Sequence, residues 1–202
     1  MSLPDRIVLA SSNAGKVREI NEMLAEHAVR IVSLSEFNVP EVAETGLTFV
    51  ENALLKARHA ARHTGLPAIA DDSGIEFDAL DGRPGIYSAR YAGQGASDAD
   101  NLQKLIADVR KLPEDQRRCR FVCLMVYLRY AEDPTPLIAE GIWEGIAVTT
   151  PRGTNGFGYD PIFYVPTHHC TSAELPPETK NSLSHRGQAL LRLVAQLQAL
   201  YP

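Results

Sequence analysis

Cysteine is scarce in this sequence, with only Cys119, Cys123 and Cys170 in 202 residues. An odd number without C-x-x-C spacing reads most simply as thiols in a reducing cytoplasm. Long apolar runs are also missing. The longest, Phe121 to Leu128, has eight residues and is too short to cross a bilayer. The first residues, Met1 to Arg6, show no charged segment followed by an apolar one, so no signal peptide is expected. Positive charge is not in excess: 20 Lys and Arg against 25 Asp and Glu give a net charge of −5. That balance argues against a surface that grips nucleic acid as a whole. A small anionic ligand stays allowed, because a local cluster of cations can oppose the global sign. Internal repeats and low-complexity tracts are absent as well.

What remains is a globular chain that suits one large domain or two small lobes. A chain of this size buries about 70–75% of the surface its unfolded form exposes, so it needs no disulfide or metal staple. Arg6–Ala10 reads as a strand that ends in the polar turn Ser11-Ser12-Asn13-Ala14-Gly15-Lys16. Val17, Ile20 and Leu24 then recur at helical spacing, with Arg18, Glu19 and Glu22 on the other faces. Arg30–Leu34 reads as a second strand. Thr48 and Glu51 fit a capping box for a helix that stops at Gly65. Ala68–Ala70 is a buried-strand candidate ending in Asp71-Asp72-Ser73-Gly74, with a further strand suggested by the alternation around Ile75 and Phe77. A long glycine-rich loop is expected from Asp81 to Gly95, and a helix from Asp98 to Lys111 capped by Ser97. Strands are expected at Arg118–Tyr130, Leu137–Ala139, Ile142–Thr149 and Ile162–Val165. A proline-bearing loop then leads to a last helix near Ser184–Leu200. Alternation early and an antiparallel-looking block later predict an α/β protein around one mixed sheet.

Four segments carry groups that could do chemistry. Ser11–Lys16, between a strand and a helix, offers hydroxyls, backbone N–H groups and an ammonium suited to phosphate oxygens. It is not a Walker A loop, and a plain polar turn would look the same. Asp71 and Asp72 point to opposite sides if the backbone is extended, so only one faces a given site. A carboxylate there could hold Mg²⁺ or polarise a water, while an acidic hairpin turn is the other reading. Glu44 is a second hard-oxygen candidate or a solvated loop residue. In Phe157-Gly158-Tyr159-Asp160-Pro161 a flat ligand could reach the backbone beside a ring, or both aromatics could belong to the core. Lys180, His185 and Arg186 gather before the last helix, with Ser184 as its cap. Cations at the positive end of a helix dipole need an anion or an acceptor-rich ligand to offset them. His168-His169-Cys170 is read as a surface loop rather than a metal site, and Cys119 and Cys123 as buried packing residues.

Together these segments resemble the inosine triphosphate pyrophosphatase family, on the side of its bacterial members that act on non-standard purine nucleoside triphosphates. The matching pieces are Ser11–Lys16, Glu44–Phe49 with Glu51, Asn52 and Lys56, Asp71–Gly74, Pro84–Arg90, Phe157–Pro161 and Ser184–Arg186. Each is weak alone, but six in order across nearly the whole chain are specific. One departure is Ser11-Ser12, where the family often has Thr-Gly.

The resemblance implies a single domain over residues 1–202, with a long mixed sheet and flanking helices forming two lobes around a central cleft. It implies a cytoplasmic homodimer that requires Mg²⁺ and hydrolyses ITP, dITP and XTP to the monophosphate and pyrophosphate. By the same resemblance Ser11, Ser12, Asn13, Ala14, Gly15, Lys16 and Lys56 cradle the triphosphate. Glu44 and Asp72 hold the metal or its water, Asp72 is the general base, and Ser73 contacts substrate beside it. Phe157, Gly158, Tyr159, Asp160, Lys180, His185 and Arg186 enclose the purine. No nucleic-acid or membrane partner is expected.

Overall fold

The computed structural model describes residues 4–11, 13–24 and 30–201. Its elements run β1 (Arg6–Leu9), α1 (Ala14–Leu24), β2 (Arg30–Ser33), α2 (Phe49–Thr64), β3 (Ala68–Glu76), α3 (Asp98–Val109), β4 (Arg118–Leu128), β5 (Leu137–Ala147), β6 (Phe163–Val165), β7 (Cys170–Thr171), α4 (Pro177–Leu183) and α5 (His185–Leu200). The strands form one sheet in the order β2-β1-β3-β4-β5-β6-β7. β1 is parallel to β2 and β3, and β6 is antiparallel to β5 and β7, so the sheet is mixed as expected.

The chain divides into two compact units. The first takes the residues up to Asp72, Cys123–Gly141 and those from Arg186 onward; the second takes Ser73–Val122 and Ile142–His185. In the first unit, strand alternation sorts the core into two layers. Ile7, Leu9, Ile69, Cys123, Met125 and Tyr127 face one side, where Ile20 of α1 and Ala189, Leu190, Leu193 and Leu197 of α5 cover them. Val8, Ala10, Ala68, Ala70, Val126 and Leu128 face the other, against Ala53, Ala57, Ala60 and Ala61 of α2. Alanine on both sides of that contact lets α2 lie close to the sheet. Thr48 caps α2 by accepting the Glu51 N–H, and Gly65 ends it in a left-handed conformation. The Glu51 carboxylate reaches back to accept the Leu47 N–H and the Thr48 hydroxyl.

The second unit has its own core. Leu105, Ile106 and Val109 of α3 join Ile75, Phe77, Cys119, Phe121, Trp143, Phe163 and Leu175. Cys119 and Cys123 are both buried, as expected, and burial pushes the Cys123 thiol up to about 12.

Several expectations change. β3 does not stop at Ala70: it runs unbroken through Asp71-Asp72-Ser73-Gly74 to Glu76, so the two carboxylates lie inside a strand, not in a turn. At Gly74 a side chain would collide with the Gly85 carbonyl and stand 2.5 Å from the Ser88 hydroxyl, which accepts the Ile75 N–H. Close packing of that segment on β3 explains Gly74, and Gly85–Arg90 is a 3-10 helix rather than loop. The two strands expected at 137–149 are one, β5. Gly145 lies within it, where an added Cβ would stand 2.5 Å from the Phe163 ring. The proline-bearing loop contains α4, tolerated because Pro177 sits in the first turn, where a helix needs no N–H. The last helix starts at His185, directly after Ser184, which also closes α4 by donating its N–H to the Lys180 carbonyl.

Candidate active site

In the first unit the loop after β1 leads straight into α1, so Lys16 belongs to the first helical turn. Ser11 Oγ accepts the Asn13 N–H at 3.3 Å, and Asn13 Oδ1 accepts the Lys16 N–H at 3.0 Å. The segment is thus a capped helix start whose ammonium turns toward the sheet. Ser12 lies outside the described residues. Ala14 and Gly15 open the helix.

The opposed directions of Asp71 and Asp72 decide what each can do. Asp71 shares the face of Ile69 and meets α1 and α5. Its Oδ2 lies 3.0 Å from Lys16 Nζ and 3.5 Å from Arg186 Nη2. Arg186 Nη1 in turn is 2.5 Å from Glu19 Oε2. Asp71, Arg186 and Glu19 are all buried. Burial alone would raise the Asp71 pKa, but Lys16, Arg186 and Lys56 outweigh it and hold the carboxyl well below the usual range. The same carboxylates push the Arg186 pKa up against its burial. For Arg186, the anion expected to offset a cation at the start of α5 is therefore supplied by the protein itself. Glu19 was expected on an outer face of α1. It is turned inward, where its carboxylate pairs with the buried Arg186 guanidinium.

Asp72 takes the other face, that of Ala70, and meets α2. Its Oδ1 lies 2.8 Å from Lys56 Nζ, and its Oδ2 accepts a bond from Asn52 Nδ2 at 3.3 Å. Lys56 Nζ is also 2.8 Å from Glu44 Oε1. Burial raises the Asp72 pKa, helped by the charge of Glu44 and opposed by Lys56 and Lys16. Lys56 is pushed up despite burial by Asp72, Asp71 and Glu44. Of the two aspartates, Asp71 is locked into an internal ion network. Asp72, beside the partly exposed Glu44, is the one whose proton affinity is tuned upward. Two carboxylate oxygens converging on a single cation are hard donors of the kind Mg²⁺ prefers, so Glu44 and Asp72 fit that ion.

The second unit assembles the other expected residues. Asp160 Oδ2 accepts the Phe157 N–H at 2.8 Å and pairs with Lys180 Nζ at 2.7 Å, while Oδ1 accepts the Ser172 hydroxyl at 2.9 Å. Lys180, carried on α4, stands 5.2 Å from the centre of the Phe157 ring. Gly156 has φ +75°, and an added Cβ there would collide with the Asp160 carboxylate. The two aromatics separate: Tyr159 is core, donating its hydroxyl to the Ser88 carbonyl at 2.7 Å, while Phe157 is only half-buried. His185 is buried and stacks on Phe121, with centroids 4.7 Å apart and planes 10° apart. Gly158 lies between the aromatics, and Ser73 follows Asp72 in β3.

His168 and His169 are exposed, as expected. Among the described residues no group of three or more His, Cys, Asp or Glu side chains is arranged to hold a metal ion. Glu19 and Ser172 were not singled out from sequence, and Asn52 entered only as part of the family-like segment, with no role of its own. Glu19 stands three residues after Lys16 and Asn52 four before Lys56, spacings that place each pair on one helix face. That spacing was the available signal.

Comparison with known proteins identifies the family. The model of the Ham1 family matches residues 7–196. A dITP/XTP pyrophosphatase of Vibrio cholerae serotype O1 is 58% identical over 193 residues, 96% of each chain. One of the same name from Shigella flexneri is 57% identical, covering 96% of this chain and 98% of its own. Among solved structures, a HAM1 protein from Coxiella burnetii superposes with TM-score 0.88 at 50% identity, over 96% of this chain and 98% of that one. The Ham1 protein of Staphylococcus aureus gives 0.84 at 41% identity, over 96% and 99%. The chain belongs to the Ham1 family.

Proposed function

We propose that this chain hydrolyses non-standard purine nucleoside triphosphates (dITP, ITP and XTP) to the nucleoside monophosphate and pyrophosphate, clearing them from the nucleotide pool. The observation that carries the reading is the Glu44–Lys56–Asp72 cluster, two carboxylates and an ammonium within 2.8 Å contacts. Relatives at 57–58% identity named dITP/XTP pyrophosphatase support the choice of substrate.

Cleaving a phosphoanhydride calls for charge neutralisation and a positioned water more than for covalent help. Ser11, Ser12, Asn13, Ala14, Gly15 and Lys16, with Lys56, receive the triphosphate. Asp72 takes the proton of the attacking water, and burial shifts it in the direction that makes a carboxylate a better base. Glu44 and Asp72 hold Mg²⁺, which supplies Lewis-acid stabilisation of phosphoryl charge. Ser73 contacts substrate beside the base.

Phe157, Gly158, Tyr159, Asp160, Lys180, His185 and Arg186 recognise the purine. A 6-oxo group accepts from N–H donors, whereas the 6-amino group of adenine would leave them unpaired, at a cost in specificity of up to about 10⁴. Arg186 enters this reading already held by Glu19 and Asp71. In this reading the protein works in the cytoplasm as a homodimer. The exposed Ile138, Ile142 and Ile146, at every fourth position of β5, support a subunit contact, and light scattering in solution tests it. No helix of the described residues is long and apolar enough to cross a membrane.

The test is to incubate the protein with dITP, ITP, XTP, GTP and ATP, with and without Mg²⁺, and to measure pyrophosphate separately from orthophosphate. Pyrophosphate from the first three, only with metal, is the expected result. Orthophosphate would move cleavage to the terminal phosphate, and tight binding without turnover would make the protein a nucleotide sensor.

A further inference from the structure

We propose that Asn52 is a positioning residue for this hydrolysis, fixing the rotation of the Asp72 carboxylate and tying it to the turn that carries Glu44. The inference rests on the roles of Asp72 and Glu44 given above.

Asn52 is fully buried on α2. Its Oδ1 accepts the Gly46 N–H at 2.8 Å, and its Nδ2 donates to Asp72 Oδ2 at 3.3 Å. The orientation of the amide is determined by its neighbours. A backbone N–H can only donate and a carboxylate only accept, so a flipped amide would break both bonds.

Lys56, one helical turn further on, reaches the other Asp72 oxygen and Glu44, each at 2.8 Å. Two side chains of α2 therefore each bridge the Glu44–Gly46 turn to β3. They are not equivalent. An ammonium is a point charge that tolerates rotation of its partner, whereas a planar amide bonded at both ends does not. Asn52 thus holds Asp72 Oδ1 toward Lys56.

The turn itself is drawn onto the helix. The Leu47 N–H goes to Glu51 Oε2 at 2.8 Å, so successive N–H groups are taken by successive α2 side chains. A Cβ on Gly46 would stand 2.6 Å from Glu51 Cβ and 2.8 Å from Asn52 Oδ1, so the clamp closes only on glycine. Without Asn52, Asp72 keeps its cation but loses its aim. Turnover then falls, while Lys16 and Lys56 still receive phosphate.

The test uses the full chain carrying Asn52→Leu, close in volume but without polar atoms. Three quantities are read: kcat and KM for dITP with Mg²⁺, and Mn²⁺ affinity without nucleotide by electron paramagnetic resonance. Loss of a group that orients metal ligands typically costs about 10–100-fold. A kcat fall in that range is expected, with KM within about threefold of wild type and Mn²⁺ affinity reduced about tenfold.

Unchanged kcat per folded molecule, or unchanged Mn²⁺ affinity, would overturn the proposal, because a merely structural Asn52 predicts lower thermal stability alone. If Asn52→Leu does not fold, Gly46→Ala decides, since its added methyl displaces Asn52 Oδ1 from a partly exposed turn. The same kcat loss at near-constant KM is expected there, and wild-type turnover would overturn the proposal. If the wild type turns over no nucleotide, the functional reading fails separately and Mn²⁺ affinity alone judges Asn52. A wild type that neither turns over nor binds Mn²⁺ would sink both.

Discussion

Asp71 and Asp72 are chain neighbours with opposite assignments. Asp71 is ion-paired to Lys16 and Arg186 on one side of β3, and Asp72 to Lys56 on the other. Strand alternation alone produces the division. The first carboxyl is held ionised by surrounding cations, and the second is shifted toward the proton. The pair therefore predicts unequal mutants.

Asp72→Asn should lower kcat by about 10²–10⁴-fold, the usual contribution of a general base, with nucleotide affinity largely kept. Pyrophosphate release and calorimetric titration with dITP check it. Full activity would remove Asp72 as the base.

Arg186→Ala should act first on stability. It leaves Asp71 and Glu19 buried without their guanidinium, a change that typically costs about 3–5 kcal/mol. Denaturant melts measure it. A narrower ratio of ITP to ATP turnover in the folded fraction would report the base-reading role separately.

Asp133 gives a pH signature away from the site. Its carboxylate accepts from Arg129 Nε at 2.8 Å and Nη2 at 2.6 Å, and from the Arg129 and Thr135 backbone N–H groups at 3.0 Å each. The Arg129 hydrogen bonds, chiefly, hold it well below the ordinary carboxylate range. A folded pKa below the unfolded value of about 3.9 means stabilisation that is complete above that value and is lost as pH falls. Asp133→Asn should lose about 2 kcal/mol at pH 7. The gap to wild type should shrink steadily below about pH 4, as thermal melts at several pH values would show.

Gly156→Ala should disturb the purine end. The new methyl strikes the Asp160 carboxylate that holds Lys180, and the backbone there is left-handed. KM for dITP should rise several-fold more than kcat falls. Steady-state kinetics decide, and an unchanged KM would take this ion pair out of base recognition.

Local signals made part of this legible in sequence. The capped α2, Gly65, the buried β1 and the long β4 all announce themselves through periodicity and end residues within a few positions. The second half of β3 did not, because Asp-Asp-Ser-Gly has the composition of a turn. It remains strand because Lys16 and Arg186 on one face, and Lys56 on the other, neutralise its charges. Those partners lie far away in the chain. α4 was hidden for another reason: after Pro176 and Pro177 come five polar residues and a single Leu183, which offer no apolar stripe. Of the expected site residues, Glu44, Lys56 and Asp72 are brought together in one unit, and Phe157, Asp160 and Lys180 in the other. The inward turn of Arg186 depends on Glu19, whose spacing puts it on the helix face of Lys16 but does not show that this face turns inward.

The alanine contact between α2 and the sheet works as a spacer. Ala53 and Ala57 alternate along the helix with Asn52 and Lys56, which must reach a carboxylate on β3, and they lie in one packed layer with Ala68 and Ala70. Every methylene added to that layer would lift two functional side chains off Asp72 together. The smallness of these residues is thus a tolerance on the reaction, so a packing error here would register as lost turnover before it registered as unfolding.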